Sequence, residues 1–173
     1  MKKLFLILLM VCTLSSYAQY KVDKTVFKTK SKTYRISRIE YNGFTSFEDA
    51  NYVRPKLNDL QTPSAFAQEL LTWDKEKIKS IVKAEVTSKL TDKEKNKYGK
   101  MIEITFDLNS ADLSIKSFRT SLFTDEGFNY KLLANLDKKL RKEIVFKPRK
   151  DISGYQQKSP VFYVSYGIKL SDL

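Results

Sequence analysis

Side chains that could do covalent or acid–base chemistry are few in this sequence. Ser80 and Lys83 have the Ser-x-x-Lys spacing of serine acyl-transferases, in which a lysine one helical turn from the hydroxyl acts as its base. The Ser-Asp-Asn and Lys-Thr-Gly elements that accompany this motif are missing, and lysine is abundant throughout the chain. We therefore interpret the spacing as a coincidence.

Acidic residues also occur close together, in pairs that would suit hydrolysis if they faced each other. Glycosidases need two carboxyl groups about 5–10 Å apart across a cleft. Adjacent side chains diverge, however, and a pair that brackets a turn points into solvent. We interpret all three pairs as solvated acids: Glu48 with Asp49, Asp107 with Asp112, and Asp125 with Glu126.

The chain has no histidine and a single cysteine, Cys12. Histidine-based triads, histidine general bases and histidine metal sites are therefore excluded together. The sequence predicts no catalytic residue, no metal ligand and no cofactor, so we expect a protein that is not an enzyme.

The N-terminus has the layout of a secretory signal peptide. Lys2 and Lys3 precede an apolar run from Leu4 to Val11, and residues 16–18 supply a small-x-small cleavage site. We predict cleavage after Ala18, because the run is far shorter than the roughly 20 residues of a membrane-spanning helix. A lipid anchor on Cys12 is disfavoured, since Met10 and Val11 precede it. The prediction is a periplasmic or secreted protein without a stable transmembrane anchor, whose residues 19–173 form one domain.

The formal charge is +12, and removal of the signal peptide would leave +10. Such an excess attracts anionic partners. Outside the cytoplasm these are anionic glycans, lipid head groups and acidic proteins, while the compartment argues against nucleic acid. The alternative is a solvated lysine-rich surface that keeps the protein soluble. The densest basic cluster, and our candidate anion or partner patch, comprises Lys138, Lys139, Arg141, Lys142, Lys147, Arg149 and Lys150.

The N-terminal half of the domain predicts mixed structure. Short apolar segments at 26–27 and 34–36 indicate strands. Thr45 to Glu48 has the pattern of a capping box and predicts a short helix, and Thr62-Pro63 predicts another helix start. A longer amphipathic helix is expected from Asp74, and a second capping box at Thr91.

The C-terminal third predicts a β-hairpin, then a helix, then a strand. Apolar residues alternate with polar ones over 102–108, and the alternation resumes at 113–118 after a polar turn. Leucines at helical spacing follow over 129–144, and alternation returns from Val161 to Leu170. This order indicates an α+β fold in which helices pack on one face of an antiparallel sheet.

The hairpin, the helix, Phe146-Lys147-Pro148 and the last strand together resemble the C-terminal domain of the TonB family, over residues 78–170. The membrane anchor and proline-rich spacer of that family are missing, as is the usual glycine in the hairpin turn. The resemblance implies a module that binds another envelope or extracellular protein by adding a partner strand to a sheet edge. The candidate edge is the last strand, with Phe162, Tyr163, Val164 and Tyr166. Its alternative interpretation is an interior strand that holds the core.

Overall fold

The computed structural model describes residues 22–39, 43–53, 68–98, 101–124, 127–156 and 159–173. The predicted signal peptide, the helix start at Thr62-Pro63 and the pair Asp125/Glu126 lie outside these residues. Among the described residues, no helix is long and apolar enough to cross a membrane.

A six-stranded antiparallel sheet organises the protein, in the order β1-β2-β3-β6-β5-β8. A two-stranded sheet, β4–β7, lies apart from it. The strands are β1 (Val22–Lys28), β2 (Thr33–Ile39), β3 (Phe44–Asp49), β4 (Leu71–Thr72), β5 (Met101–Asn109), β6 (Ile115–Phe123), β7 (Lys147–Pro148) and β8 (Val161–Lys169).

One face of the large sheet carries the core. Ile104 pairs with both Thr120 and Tyr166, and Phe106 pairs with Phe118 and Val164, so their side chains share that face. Alternation in β5 and β8 follows from this geometry, because every second side chain points inward. The predicted hairpin and last strand are confirmed.

The helices with both ends described are α1 (Lys75–Glu85), α2 (Asp92–Lys97), α3 (Lys131–Glu143) and the single turn α4 (Ser153–Gln156). The two longer ones, α1 and α3, bury apolar side chains in the core, whereas α2 and α4 bury none. Asp74 caps α1 by accepting from the Lys77 N–H at 2.8 Å. Thr91 and Glu94 form the predicted capping box of α2. The buried leucines of α3 confirm the predicted helix, and with it the α+β class.

The predicted short helix at Thr45–Glu48 is wrong, because these residues belong to β3. Thr45 and Phe47 are fully buried on the inner face of the sheet, while Ser46 is only half-buried. Pairing with β2 on one side and β6 on the other overrides the local capping pattern. β3 thereby joins the N-terminal hairpin to the C-terminal one.

Gly43 allows the chain to enter β3. Its φ of +70° lies in the left-handed region, and a Cβ there would come within 2.8 Å of the Thr124 carbonyl oxygen. The Thr124 N–H donates to the Gly43 carbonyl at 2.9 Å, which fixes the start of β3 beside the end of β6.

Candidate functional site

A groove of about 660 Å³ opens between the β1–β2 hairpin and α3. One wall is the end of β1 with the turn that follows, residues 27–32, and the other is the first three turns of α3. Two backbone-directed contacts shape the turn. The Thr29 N–H donates to the Lys32 carbonyl at 2.8 Å, and the Lys32 N–H donates to Thr29 Oγ1 at 3.0 Å. Lys30 and Ser31 form its exposed tip.

Lysines line both walls. Lys28 and Lys30 lie on the hairpin, and Lys131 and Lys138 lie on α3; all four are exposed. Residues 131, 135 and 138 follow helical spacing, so Asn135 stands between the two lysines on one stripe of the helix. The structure records no ion pair between these four lysines and any residue that it describes. We call them the rim lysines.

A buried carboxylate occupies the floor of the groove. Asp137 is 1% exposed. Its Oδ2 accepts from Lys32 Nζ at 2.8 Å and from the Tyr34 hydroxyl at 2.9 Å. Its Oδ1 accepts from Arg141 Nε at 2.7 Å. Three donors therefore surround one carboxylate, which is the arrangement that makes a buried charge tolerable.

The remaining contacts of the floor hold its cations in place. Lys32 Nζ also lies 3.0 Å from Asp49 Oδ2, and Arg141 Nη1 donates to the Ile115 carbonyl at 2.7 Å. The Tyr34 ring stacks on Phe47 with 4.4 Å between ring centroids. The floor is thus anchored to both β2 and β3, and its charges compensate one another.

Burial raises the pKa of Tyr34 far above its ordinary value of 10.0, and the neighbouring Asp137 carboxylate raises that pKa further. The phenol therefore remains a neutral hydrogen-bond donor at physiological pH. Its position assigns it to holding Asp137 in place, which leaves it unsuited to acid–base work.

The predicted basic patch is divided in the structure. Lys138 and Arg141 line the groove, but Arg141 is held by Asp137. Lys138, Lys139 and Lys142 together border a second recess of about 380 Å³ on the same helix. Lys139 faces Glu143 with 3.6 Å between the charged atoms.

The other members of the patch lie beyond α3. Lys147 is in β7, and Lys150 is exposed just after it. Arg149 Nε donates to the Leu71 carbonyl at 2.7 Å, which ties β7 to β4. The structure therefore brings Lys138, Lys139 and Lys142 to one recess and places Lys147, Arg149 and Lys150 in and just after β7.

β8 forms one end of the large sheet. Phe162 and Val164 are buried in the core, while Tyr163 and Tyr166 are half-buried. The Gln68 amide donates to the Ser165 carbonyl at 3.0 Å, so side chains from residues 68–75 reach this strand. Lys75 Nζ lies 5.8 Å from the centre of the Tyr166 ring.

The residues considered for hydrolysis do not assemble. Ser80 opens on a recess of about 290 Å³ that Lys83 does not line. Glu48 faces Arg35, and Asp112 accepts from the hydroxyl of Ser114 in the hairpin turn. The expectation of a solvated acid is wrong for Asp107, which is 1% exposed because it lies within β5 between two paired strands. In the part of the chain that the structure describes, no three acidic, cysteine or histidine side chains come together as a metal site.

The sequence reasoning missed the hairpin wall and the floor. A signal for Asp137 was present: a carboxylate stands within the leucine stripe of α3, between Leu133 and Leu140, with Arg141 four residues on. No local pattern shows that Lys28, Lys30 and Lys32 approach α3, because more than 100 residues separate the Lys32 and Asp137 that meet.

No protein-family model matches the chain, and no curated protein matches it. Among solved structures, the chain is similar to a DUF5043 family protein from Bacteroides uniformis ATCC 8492, with a TM-score of 0.59 and 15% identity. The similarity covers 87% of this chain and 92% of that one. At this identity it shows a shared fold.

Proposed function

We propose that this chain is a non-enzymatic extracytoplasmic module that binds an anionic partner in the groove between the β1–β2 hairpin and α3. The observation that carries the proposal is the set of rim lysines, which face one groove from two walls and form no ion pair with any residue that the structure describes. Like charges gathered in a concave site raise the local concentration of an anion and speed its capture.

The floor supports this role through its charge balance. Asp137 and Asp49 together offset Lys32 and Arg141, so the floor adds little net charge of its own. The uncompensated charge of the groove therefore belongs to the rim lysines. An anion that enters meets exposed ammonium groups, which have no ion pair with any of the described residues.

We propose that the chain is not an enzyme because of the chemistry of the residues that line the groove. Tyr34 is held as a neutral donor, and Asp137 already accepts three hydrogen bonds. Neither group is arranged as a nucleophile or as a general base for a bound molecule.

A charge-reversal experiment tests the proposal. We expect Lys131→Glu/Lys138→Glu to lower binding of labelled inorganic polyphosphate at least tenfold, measured by fluorescence anisotropy with residues 19–173. The matched control is Lys83→Glu/Lys93→Glu, which changes the net charge equally at exposed positions outside the groove. Equal losses in both double variants would reduce the effect to net charge and contradict the proposal.

A second candidate function is binding of another envelope or extracellular protein by strand addition. β1 favours it, because this strand forms the end of the sheet opposite β8 and exposes Lys24, Thr25 and Val26 on both of its faces. Gln68 already occupies a carbonyl of β8, so the geometry favours β1 as the receiving edge.

Proline substitution in β1 tests whether a partner strand adds to this edge. Successive N–H groups of a strand point to opposite sides, so one of Thr25→Pro and Val26→Pro removes an outward donor and the other removes a bond to β2. We expect the variant with unchanged thermal stability to lose capture of its partner from an envelope extract. Undiminished capture by that variant would refute strand addition at β1.

A further inference from the structure

Resting on the proposed function, we infer that the ligand of the groove is an acidic oligosaccharide, with separate anionic groups on different sugars and neutral hydroxyls between them. The inference comes from how the rim lysines are spaced and from what lies between them. The alternative ligands that the experiment compares with it are an acidic peptide, an anionic lipid surface and a simple phosphate.

The spacing of the rim lysines favours a ligand with several anionic groups. Lys131 and Lys138 are seven residues apart on α3, so their backbone positions are separated by about 10 Å along the helix axis. Charge-assisted hydrogen bonds span only about 2.7–2.9 Å. Two lysines that converged on one small anion would repel each other and lose side-chain freedom. Anions that are spaced along a chain avoid both costs.

The groups between the lysines favour a sugar. Asn135 stands between Lys131 and Lys138, and its amide offers two donors and one acceptor, as sugar hydroxyls require. Across the groove, Ser31 presents a hydroxyl at the hairpin tip, and the half-buried ring of Phe27 offers an apolar surface to a sugar face. A polyphosphate offers acceptors only and no apolar face, so it would leave the amide oxygen of Asn135 and the ring of Phe27 unused.

The size of the groove agrees with a short oligosaccharide. A volume of about 660 Å³ lies within the roughly 300–1,000 Å³ typical of small-molecule sites. The walls are the ends of two elements, so a longer chain can leave the groove at both sides.

Isothermal titration calorimetry with residues 19–173 tests the inference. The probes are a sulfated tetrasaccharide, a tetraglutamate peptide, inorganic phosphate and vesicles that contain phosphatidylglycerol. We expect the tetrasaccharide to bind at least tenfold more tightly than the peptide and than phosphate, and more tightly than the vesicle surface. Equal or tighter binding of any other probe would overturn the inference.

A variant separates this inference from the proposed function. We expect Asn135→Ala to weaken tetrasaccharide binding about tenfold and to leave polyphosphate binding unchanged, whereas Lys131→Glu/Lys138→Glu lowers both. If the lysine variant loses polyphosphate but Asn135→Ala leaves the tetrasaccharide unaffected, the sugar inference fails and the anion groove stands. If wild-type protein binds neither probe, both fail.

Discussion

The two ends of the large sheet differ in the side-chain contacts that hold them. At the β5–β8 end, nine-residue strands pack fully buried phenylalanine, isoleucine and valine side chains against each other and the helices. At the β1 end, Tyr34 of β2 lies with Lys32 and Arg141 around the Asp137 carboxylate. Tyr34 and Ile36 also belong to the hydrophobic core, so apolar burial holds both ends and the β1 end adds these directional contacts to it.

The difference lies in where the polar side chains are held. Apolar burial is non-directional, and the β5–β8 end also buries polar groups, such as Asp107 and Thr105, whose hydroxyl bonds to that of Ser165 on the neighbouring strand. At the β1 end the buried carboxylate of Asp137 is held by two cations beside a groove with exposed lysines. This end is where we propose the ligand site.

The largest effect is expected from truncating a side chain at the β5–β8 end. Phe106 is fully buried, with ring contacts to Phe118 and Phe146. Phe106→Ala should lower the free energy of unfolding by about 3–5 kcal/mol in urea denaturation. Phe27→Ala at the other end should cost less than about 2 kcal/mol, because this ring is only half-buried. Similar losses would break the contrast between the two ends.

The β1 end should respond most to Asp137→Asn. The change removes the charge that compensates Lys32 and Arg141, and we expect a loss of about 2–3 kcal/mol in the same assay. Breaking a fully buried pair costs about 3–5 kcal/mol, but here the two cations keep 22% and 26% of their side-chain exposure. Asp49→Asn is the control, expected near 1 kcal/mol. An unchanged stability in Asp137→Asn would contradict the importance of the floor.

Tyr34→Phe should cost about 1 kcal/mol at neutral pH, the usual worth of one hydrogen bond. Because burial raises the pKa of Tyr34 above its unfolded value of 10.0, the folded state disfavours ionisation. Its contribution is complete below pH 10 and is lost as the pH rises above it, by about 1.4 kcal/mol per pH unit for one proton. Denaturation curves between pH 9 and 11.5 should show a shallower alkaline decline in Tyr34→Phe than in wild type. Parallel declines would contradict this prediction.

The smallest effect on stability is expected at the rim. Lys131→Glu/Lys138→Glu should leave the free energy of unfolding within about 0.5 kcal/mol of wild type, because exposed side chains without ion pairs contribute little. Thermal unfolding of the variant used in the binding test measures this. A large loss would show that these lysines hold the fold.

Much of the β5–β8 end could be predicted from the sequence. Alternation in β5 and β8 and the leucine stripe of α3 are local signals, and each element buries the face that its pattern indicates. The strand β3 could not be predicted, because Thr45–Glu48 satisfies the pattern of a helix capping box. Its pairing with β2 and β6 is what makes this segment a strand. Local preference is weak wherever tertiary contacts are strong.

The candidate site was harder to predict for the same reason. Lys138 and Arg141 belong to a cluster that is dense along the chain, and its other members do not line the groove: Lys139 and Lys142 border the second recess, and Lys147, Arg149 and Lys150 lie in and after β7. Lys28 and Lys30 reach the groove only through the hairpin and the Asp137 contact. Charge that is concentrated in space need not be concentrated in sequence.

The two walls of the groove are far apart along the chain, so the groove forms late in folding. Residues 28–32 and 131–138 come together only after most of the chain has been made and folded. A ligand that needs both walls binds the native state alone, so the melting temperature rises with the logarithm of the free ligand concentration once this exceeds the dissociation constant. If a chain is exported unfolded, such a site is not formed in the compartment where the chain is made. On the extracytoplasmic location proposed above, the groove would therefore form only after export, beyond the reach of cytoplasmic polyanions.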